Sequence, residues 1–187
     1  PASRVLVRNR FGDYIPGVIA AKPVHFMTAE EKNSNQLSIS QMSIDIGATS
    51  KEEAELLFGI RIGEPVVPDV TFLYDDERDV MIGKAFDCRI GGAALMETLR
   101  RIHKEDLPID VVGVLSSQEE VGERGIMAAV QKVQPSIALC FEGCPADDTF
   151  TENYAIQTAL KKGPMLRFMD TSVICSPRYQ RHILDLA

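Results

Sequence analysis

Two seven-residue apolar runs separated by one helical stretch constrain the fold of this chain more than any other feature. The runs are IDVVGVL (109–115) and SIALCFE (136–142), and neither alternates apolar with polar residues along its length. A strand with one wet face needs that alternation, so continuous runs of this kind suit strands covered on both faces, as in parallel sheets. Between them, residues 122–133 set Ile126, Met127, Val130 and Val133 in one stripe at helical spacing. Strand, helix, strand in that order is a βαβ unit with a right-handed crossover. A further helix is expected over residues 90–102, with Ile90, Ala94, Leu95, Leu99 and Ile102 on one face and Arg100 and Arg101 off it.

Residues 1–73 have a different rhythm. RVLVRN (4–9) reads as a strand, RFGDYIPG (10–17) as a turn region, and VIAAKPVHF (18–26) as a second strand broken by Pro23. EEKNSNQ (30–36) reads as a polar loop, and LSISQMSIDIG (37–47) alternates. TSKEEAELLFG (49–59) is a short helix, with Ser50 and Glu53 as a capping box, Ala54, Leu57 and Phe58 as its apolar face, and Gly59 closing it. VTFLYDD (70–76) is one more strand-like run. The expected fold class is α/β: a parallel-sheet βαβ core over 74–187, preceded by a small barrel-like β-rich module over 1–73.

Charge and cysteine usage narrow the function classes. The 187 residues carry 20 basic and 27 acidic side chains, a net charge of -7, with no basic stripe to neutralise phosphates. Nucleic acid is therefore not expected as a partner. No apolar run approaches the roughly 18–20 residues of a membrane span. Cys88, Cys140, Cys144 and Cys175 do not form the framework of a small secreted domain, so reduced thiols in a cytoplasmic protein are expected. Cys140 and Cys144 lack the paired spacing of a structural zinc site. The chain opens inside a strand-like pattern and stops in a helical one without a terminator, RYQRHILDLA, so a piece of a longer protein is expected.

Acidic residues collect where such a sheet binds ligands. In open α/β sheets that place lies beyond the carboxyl ends of the parallel strands. Glu119 and Glu120 follow the first run, Glu142 ends the second, and Asp87 precedes the helix expected over 90–102. Each carboxylate alone is an ordinary loop charge, and Asp87 alone suits the positive end of the helix that follows. Together they would repel and raise one another's pKa values, which a divalent cation would relieve. The residues themselves leave a metal site, an acid–base pair and a solvated acidic rim all open.

Four separated motifs then resemble one family. GKAFDCRIGGAALMETL, SSQEEVGERGIMAA, KPVHF and DIGATSKEEAELLFGIRIGEPVV are similar to the dinuclear metallo-aminopeptidases that include glutamyl, deblocking and tetrahedral-particle aminopeptidases, some of them labelled endoglucanases. The resemblance implies a hydrolase that removes amino-terminal residues from peptides with two divalent ions per subunit, zinc or cobalt, with manganese a third candidate. It implies Asp87 as the ligand shared by both metals, Glu119 as the general base, and Glu120 and Glu142 as further ligands. Asp147 and Asp148 are lower-ranked alternatives to Glu142. It also implies a cis link from Asp87 to Cys88, an inserted β-rich module that pairs subunits, and homo-oligomers from dimer to dodecamer. Arg167 or Asp170 would line the specificity pocket.

Three departures from the family pattern bear on activity. His25, His103 and His182 match neither of the family's histidine ligands, Cys88 stands where a second aspartate is usual, and Glu142 replaces an aspartate. Residues 1–187 by themselves are thus expected to bind metal weakly and to be inactive. Two other readings compete: a carboxylate-pair glycosidase that needs no metal, and an inactive oligomeric scaffold.

Overall fold

Burial alternates along Arg4–Arg8 (β1), where Val5 and Val7 are buried and Arg4 and Arg8 are exposed. That alternation is what a strand with one covered face requires. β1 pairs antiparallel with Tyr14–Ala20 (β2), from Arg4 opposite Val18 to Arg8 opposite Tyr14. Ser43–Asp45 (β3) adds to β2 and Val66–Pro68 (β4) to β1, giving one antiparallel sheet of order β3-β2-β1-β4. A separate hairpin joins Leu73–Asp75 (β5) to Val80–Ile82 (β6). The computed structural model describes residues 2–33 and 38–187, and the chain forms two units, 1–84 and 85–187. The expected division after residue 73 falls just before the β5–β6 hairpin; this one falls just after it.

The turn between β1 and β2 is shorter than the glycine and proline content suggests. Pro16 and Gly17 lie inside β2, opposite Leu6 and Val5, so residues 9–13 alone make the turn. Asn9, buried, organises it. Its Oδ1 accepts from the Phe11 and Asp13 amides at 3.0 and 2.9 Å, and its Nδ2 donates to the Phe58 carbonyl at 3.2 Å. One amide side chain thus closes the turn and fastens it to the end of Lys51–Leu56 (α2). Ser50 caps α2 as expected, its Oγ accepting from the Glu53 amide at 3.1 Å. The return bond shifts by one residue: the Glu53 carboxylate accepts from Thr49 N and Oγ1, both at 2.7 Å.

The polar stretch expected as a loop over 30–36 begins as a helix, Ala29–Asn33 (α1). Thr28 Oγ1 accepts from the Glu31 amide at 3.2 Å, and the Glu31 carboxylate accepts from the Thr28 amide at 2.6 Å. That reciprocal pair is a capping box spelled T-x-x-E. The rest of that stretch, 34–36, lies outside the described residues.

In the second unit Phe86–Ile102 (α3), Arg124–Val133 (α4) and Pro177–Leu186 (α5) match the helical periodicity. On the exposed side of α3, Glu97 accepts from Arg100 and Arg101 at 2.6–2.7 Å, and these guanidiniums hold its carboxyl down to about 2. The two apolar runs differ from expectation. Among the described residues no ladder joins 109–115 to 136–142, and most of their side chains are exposed, Leu115 and Leu139 at 68% each. α3 lies along one side of both runs, with Gly113 against Leu99, Gly92 against Leu115 and Gly91 against Phe141. No further strand completes their pairing among the described residues, so their sheet hydrogen bonds are unmade.

The same lack of cover shows in total area. The chain exposes 15898 Å². One globule of 20.6 kDa would expose roughly 9,000 Å², and two separate compact units of these sizes roughly 11,000 Å². Large apolar side chains stand out on that surface, among them Ile62, Tyr154 and Ile39.

Replacing Asn9 with Ala would leave the Phe11 and Asp13 amides and the Phe58 carbonyl without their bonds. The expected cost is about 1–3 kcal/mol, read as a lower urea midpoint at unchanged slope.

Candidate active site

The site is built around the start of α3. Ala85 takes a left-handed conformation (φ 59°), Asp87 is extended and Cys88 non-helical, so the regular helix begins only after Cys88. The Asp87–Cys88 peptide bond is cis, as the resemblance implied. Gly91, one turn into α3, is pressed against the Phe141 carbonyl and the Cys88 sulfur; a Cβ there would overlap the carbonyl carbon at 2.6 Å. Cys88 Sγ donates to that same carbonyl at 3.3 Å. Asp87 consequently abuts the residues after Phe141. A Cβ on Gly143 would lie 3.6 Å from Asp87 Oδ1, and Glu142 Oε1 accepts from the Gly143 amide at 2.7 Å.

Glu119 and Glu120 reach the same rim from a tight loop. The Gly125 amide donates to the Ser117 carbonyl at 2.9 Å, and the Arg124 amide to the Gln118 carbonyl at 3.2 Å. The connection from the first apolar run to α4 is thereby pinched at its base. Gly125 is needed for this approach, since a Cβ would sit 2.5 Å from the Ser117 amide. At the tip the Gly122 and Glu123 amides both donate to the Glu119 carbonyl, at 3.0 and 2.9 Å.

The electrostatics register this gathering. The Glu119 carboxyl is raised above its ordinary value, by partial desolvation first and then by the like charges of Glu120, Glu142, Glu123 and Asp87. Three expected residues therefore act on the fourth. Glu123, which the motif reading passed over, joins them from the residue just before α4. Cys88 is raised by burial and by Glu142, and Cys140 by burial and then Glu142, Glu123 and Glu119. All four cysteines are free thiols, two of them at this rim.

Other candidates fall elsewhere. The Asp147 carboxylate is occupied by the Gln157 and Thr158 amides at 3.0–3.2 Å, which lower its pKa and fold the loop it sits in. Asp170 is held by the Ser172 amide and hydroxyl and the Val173 amide. Arg167 Nη2 lies 4.0 Å from Cys144 Sγ, two residues past Glu142. His25 lies in the first unit, His103 turns its ring to the Arg100 carbonyl at the far end of α3, and His182 lies on α5.

The donor set fits divalent cations in kind. Four carboxylates supply hard oxygen ligands, and their mutual repulsion is the field a cation would relieve. The set is partial, since among the described residues no three His, Cys, Asp or Glu side chains converge closely enough to enclose an ion.

Comparison with known proteins decides the family. All of residues 1–187 match the M42 glutamyl aminopeptidase family. The chain belongs to that family. Its fold is the mixed α/β fold of solved family structures. The TET aminopeptidase of the marine-sediment archaeon Thaumarchaeota archaeon SCGC AB-539-E09 superposes with a TM-score of 0.90 at 37% identity, covering 100% of this chain and 52% of that one. The aminopeptidase APDkam598 of the archaeon Desulfurococcus kamchatkensis gives 0.85 at 30%, covering 100% and 50%. The glutamyl aminopeptidase of Lactococcus lactis subsp. cremoris is 29% identical over 184 residues, 98% of this chain and 51% of that protein. The chain spans about half the length of the curated relatives it matches. Among the described residues no helix is long and apolar enough to cross a membrane.

Adjacent glycines of α3 give the family site a structural test. Gly91→Ala drives a methyl into the Phe141 backbone and should cost about 1–3 kcal/mol. Gly92→Ala meets only Leu115 Cδ2 at an ordinary 3.7 Å and should stabilise by about 0.5–1 kcal/mol, because glycine is a poor helix residue. Thermal unfolding of the two variants should therefore shift in opposite directions.

Proposed function

We propose that this chain supplies the carboxylate side of an aminopeptidase active site. What supports the reading is that the charges of Asp87, Glu120 and Glu142 all bear on Glu119, with Asp87 Oδ1 set beside Gly143, the residue after Glu142. Asp87, shared between two sites, with Glu120 and Glu142 on either side, would hold two divalent ions. Zinc or cobalt, with manganese as a third candidate, would supply positive charge that polarises the scissile carbonyl and acidifies the attacking water.

This chain's own residues do the rest. Glu119 accepts the proton of the attacking water and returns it to the departing amine nitrogen. Its carboxyl is raised first by desolvation and then by the charges of Glu120, Glu142, Glu123 and Asp87. Arg167 adds a cation beside Cys144, on the Glu142 side of the rim, where it favours substrates with an acidic first side chain. Histidine ligands come from outside residues 1–187 on this reading, and residues 1–187 alone would be inactive. The β-rich first unit, with Ile62 fully exposed and Leu56 and Leu57 largely so, is proposed as a subunit-pairing module in a cytoplasmic homo-oligomer.

Three measurements on the complete protein test the reading. Chelation should abolish release of amino-terminal residues, with recovery on adding zinc or cobalt; hydrolysis that survives chelation contradicts it. Glu119→Gln should lower kcat about 100- to 10,000-fold while bound metal and KM stay near wild type. Equal loss of metal would reassign Glu119 as a ligand. In a panel of aminoacyl substrates, Arg167→Ala should lower kcat/KM for acidic first residues more than for leucine.

A further inference from the structure

Gln180, in the first turn of α5, is a buried amide (5% exposed) that is only half satisfied. Its Nε2 donates to the Arg167 carbonyl at 2.6 Å, and among the described residues its Oε1 meets no donor. The stretch between the two residues folds back on itself. The Cys175 amide donates to the Phe168 carbonyl at 3.0 Å, the Asp170 amide to the Val173 carbonyl at 2.9 Å, and Met169 pairs with Ile174 in an antiparallel bridge. Gln180 latches the base of this turn, and Arg167 is the residue it holds. With the Arg167 and Phe168 carbonyls both bonded, the backbone from which the guanidinium extends is fixed. At the other end of the side chain, Nη2 lies 4.0 Å from Cys144 Sγ, whose own S–H points to the Pro145 carbonyl. Among the described residues Arg167 makes no ion pair, so its charge is available to an acidic ligand. A buried amide with an unbonded oxygen is a cost to the fold that an apolar side chain of similar length would avoid. The bond to Arg167 is what the amide gives in return.

We propose that Gln180 is a positioning residue for Arg167: its amide holds the Arg167 backbone so that the guanidinium meets the acidic first side chain of a peptide already in place. A guanidinium pairs with a carboxylate through a planar fork, which needs a fixed direction as well as a charge. An unlatched Arg167 has to be ordered at the moment of binding, and that ordering weakens binding by about 2- to 10-fold. The inference rests on Arg167 being the cation that favours acidic first residues, so the two must be separable by experiment.

Steady-state kinetics of the complete, metal-loaded protein on glutamyl and leucyl anilides are compared for wild type, Gln180→Met, Arg167→Ala and the double variant. Gln180→Met, which keeps the length and loses the donor, should raise KM for the glutamyl substrate about 2- to 10-fold with kcat near wild type, while the leucyl constants hold. In the double variant the Gln180 change should add nothing to the glutamyl loss already caused by Arg167→Ala, because it acts through that residue. Gln180→Asn, whose amide stops one carbon short of the carbonyl, should give the same KM shift and replaces Gln180→Met if the apolar residue disturbs folding. An unchanged glutamyl KM in the Gln180 variants, with Arg167→Ala impaired on that substrate, overturns the role of Gln180 and leaves Arg167 in place. Equal losses on both substrates, or losses that add in the double variant, show a merely structural residue and also overturn it. If Arg167→Ala leaves the glutamyl preference intact, the reading of Arg167 falls and the inference with it.

Discussion

The close contact between Gly91 of α3 and the Phe141 carbonyl is the constraint on which the candidate site depends. Without a side chain at position 91 the helix can lie directly on the backbone of the second apolar run. That approach brings Cys88 onto the same carbonyl and sets Asp87 beside Gly143. The loop carrying Glu119 and Glu120 is positioned by a second pinch of the same kind, Gly125 on Ser117. Both contacts are backbone against backbone, so neither depends on a rotamer. Four carboxylates are thus delivered to one rim by two glycines, and the Glu119 carboxyl is raised by desolvation first and then by the charges of its neighbours.

Repelling charge of this sort persists in a folded protein when something compensates it. A bound cation is the compensation that oxygen donors suit best, and membership of the M42 family points the same way. The exposed apolar area tells a parallel story about packing. The runs over 109–115 and 136–142 are covered by α3 on one side and bare elsewhere, and the chain spans half the length of its relatives.

How much of this could be read from the sequence varied with the range of the interaction involved. Helices α3, α4 and α5 follow from local periodicity, and α2 from its local Ser50 cap. The T-x-x-E box at Thr28 was equally local but was hidden by its polar surroundings. Pro16 and Gly17 misled for the opposite reason: their composition signals a turn, whereas Asn9 closes the turn earlier through a contact with Phe58, 49 residues away. The apolar runs read as sheet strands, but among the described residues neither forms a ladder, and most of their side chains are exposed. At the site, Asp87, Glu119, Glu120 and Glu142 were singled out by an expected βαβ topology and by the family motifs, and the charges of the other three bear on Glu119. Glu123 and Cys88 were not, since their parts come from a left-handed residue before α4 and a thiol folded onto a neighbouring carbonyl.

The central claim is that these carboxylates form one metal-binding rim. It is tested most directly by a crystal structure of the complete protein grown with cobalt, with anomalous scattering used to locate the metal. The account predicts two anomalous peaks, with Asp87 in contact with both and Glu120 and Glu142 each on one, while Glu119 contacts neither. Peaks bound elsewhere, with Asp87, Glu120 and Glu142 all turned to solvent, would contradict it.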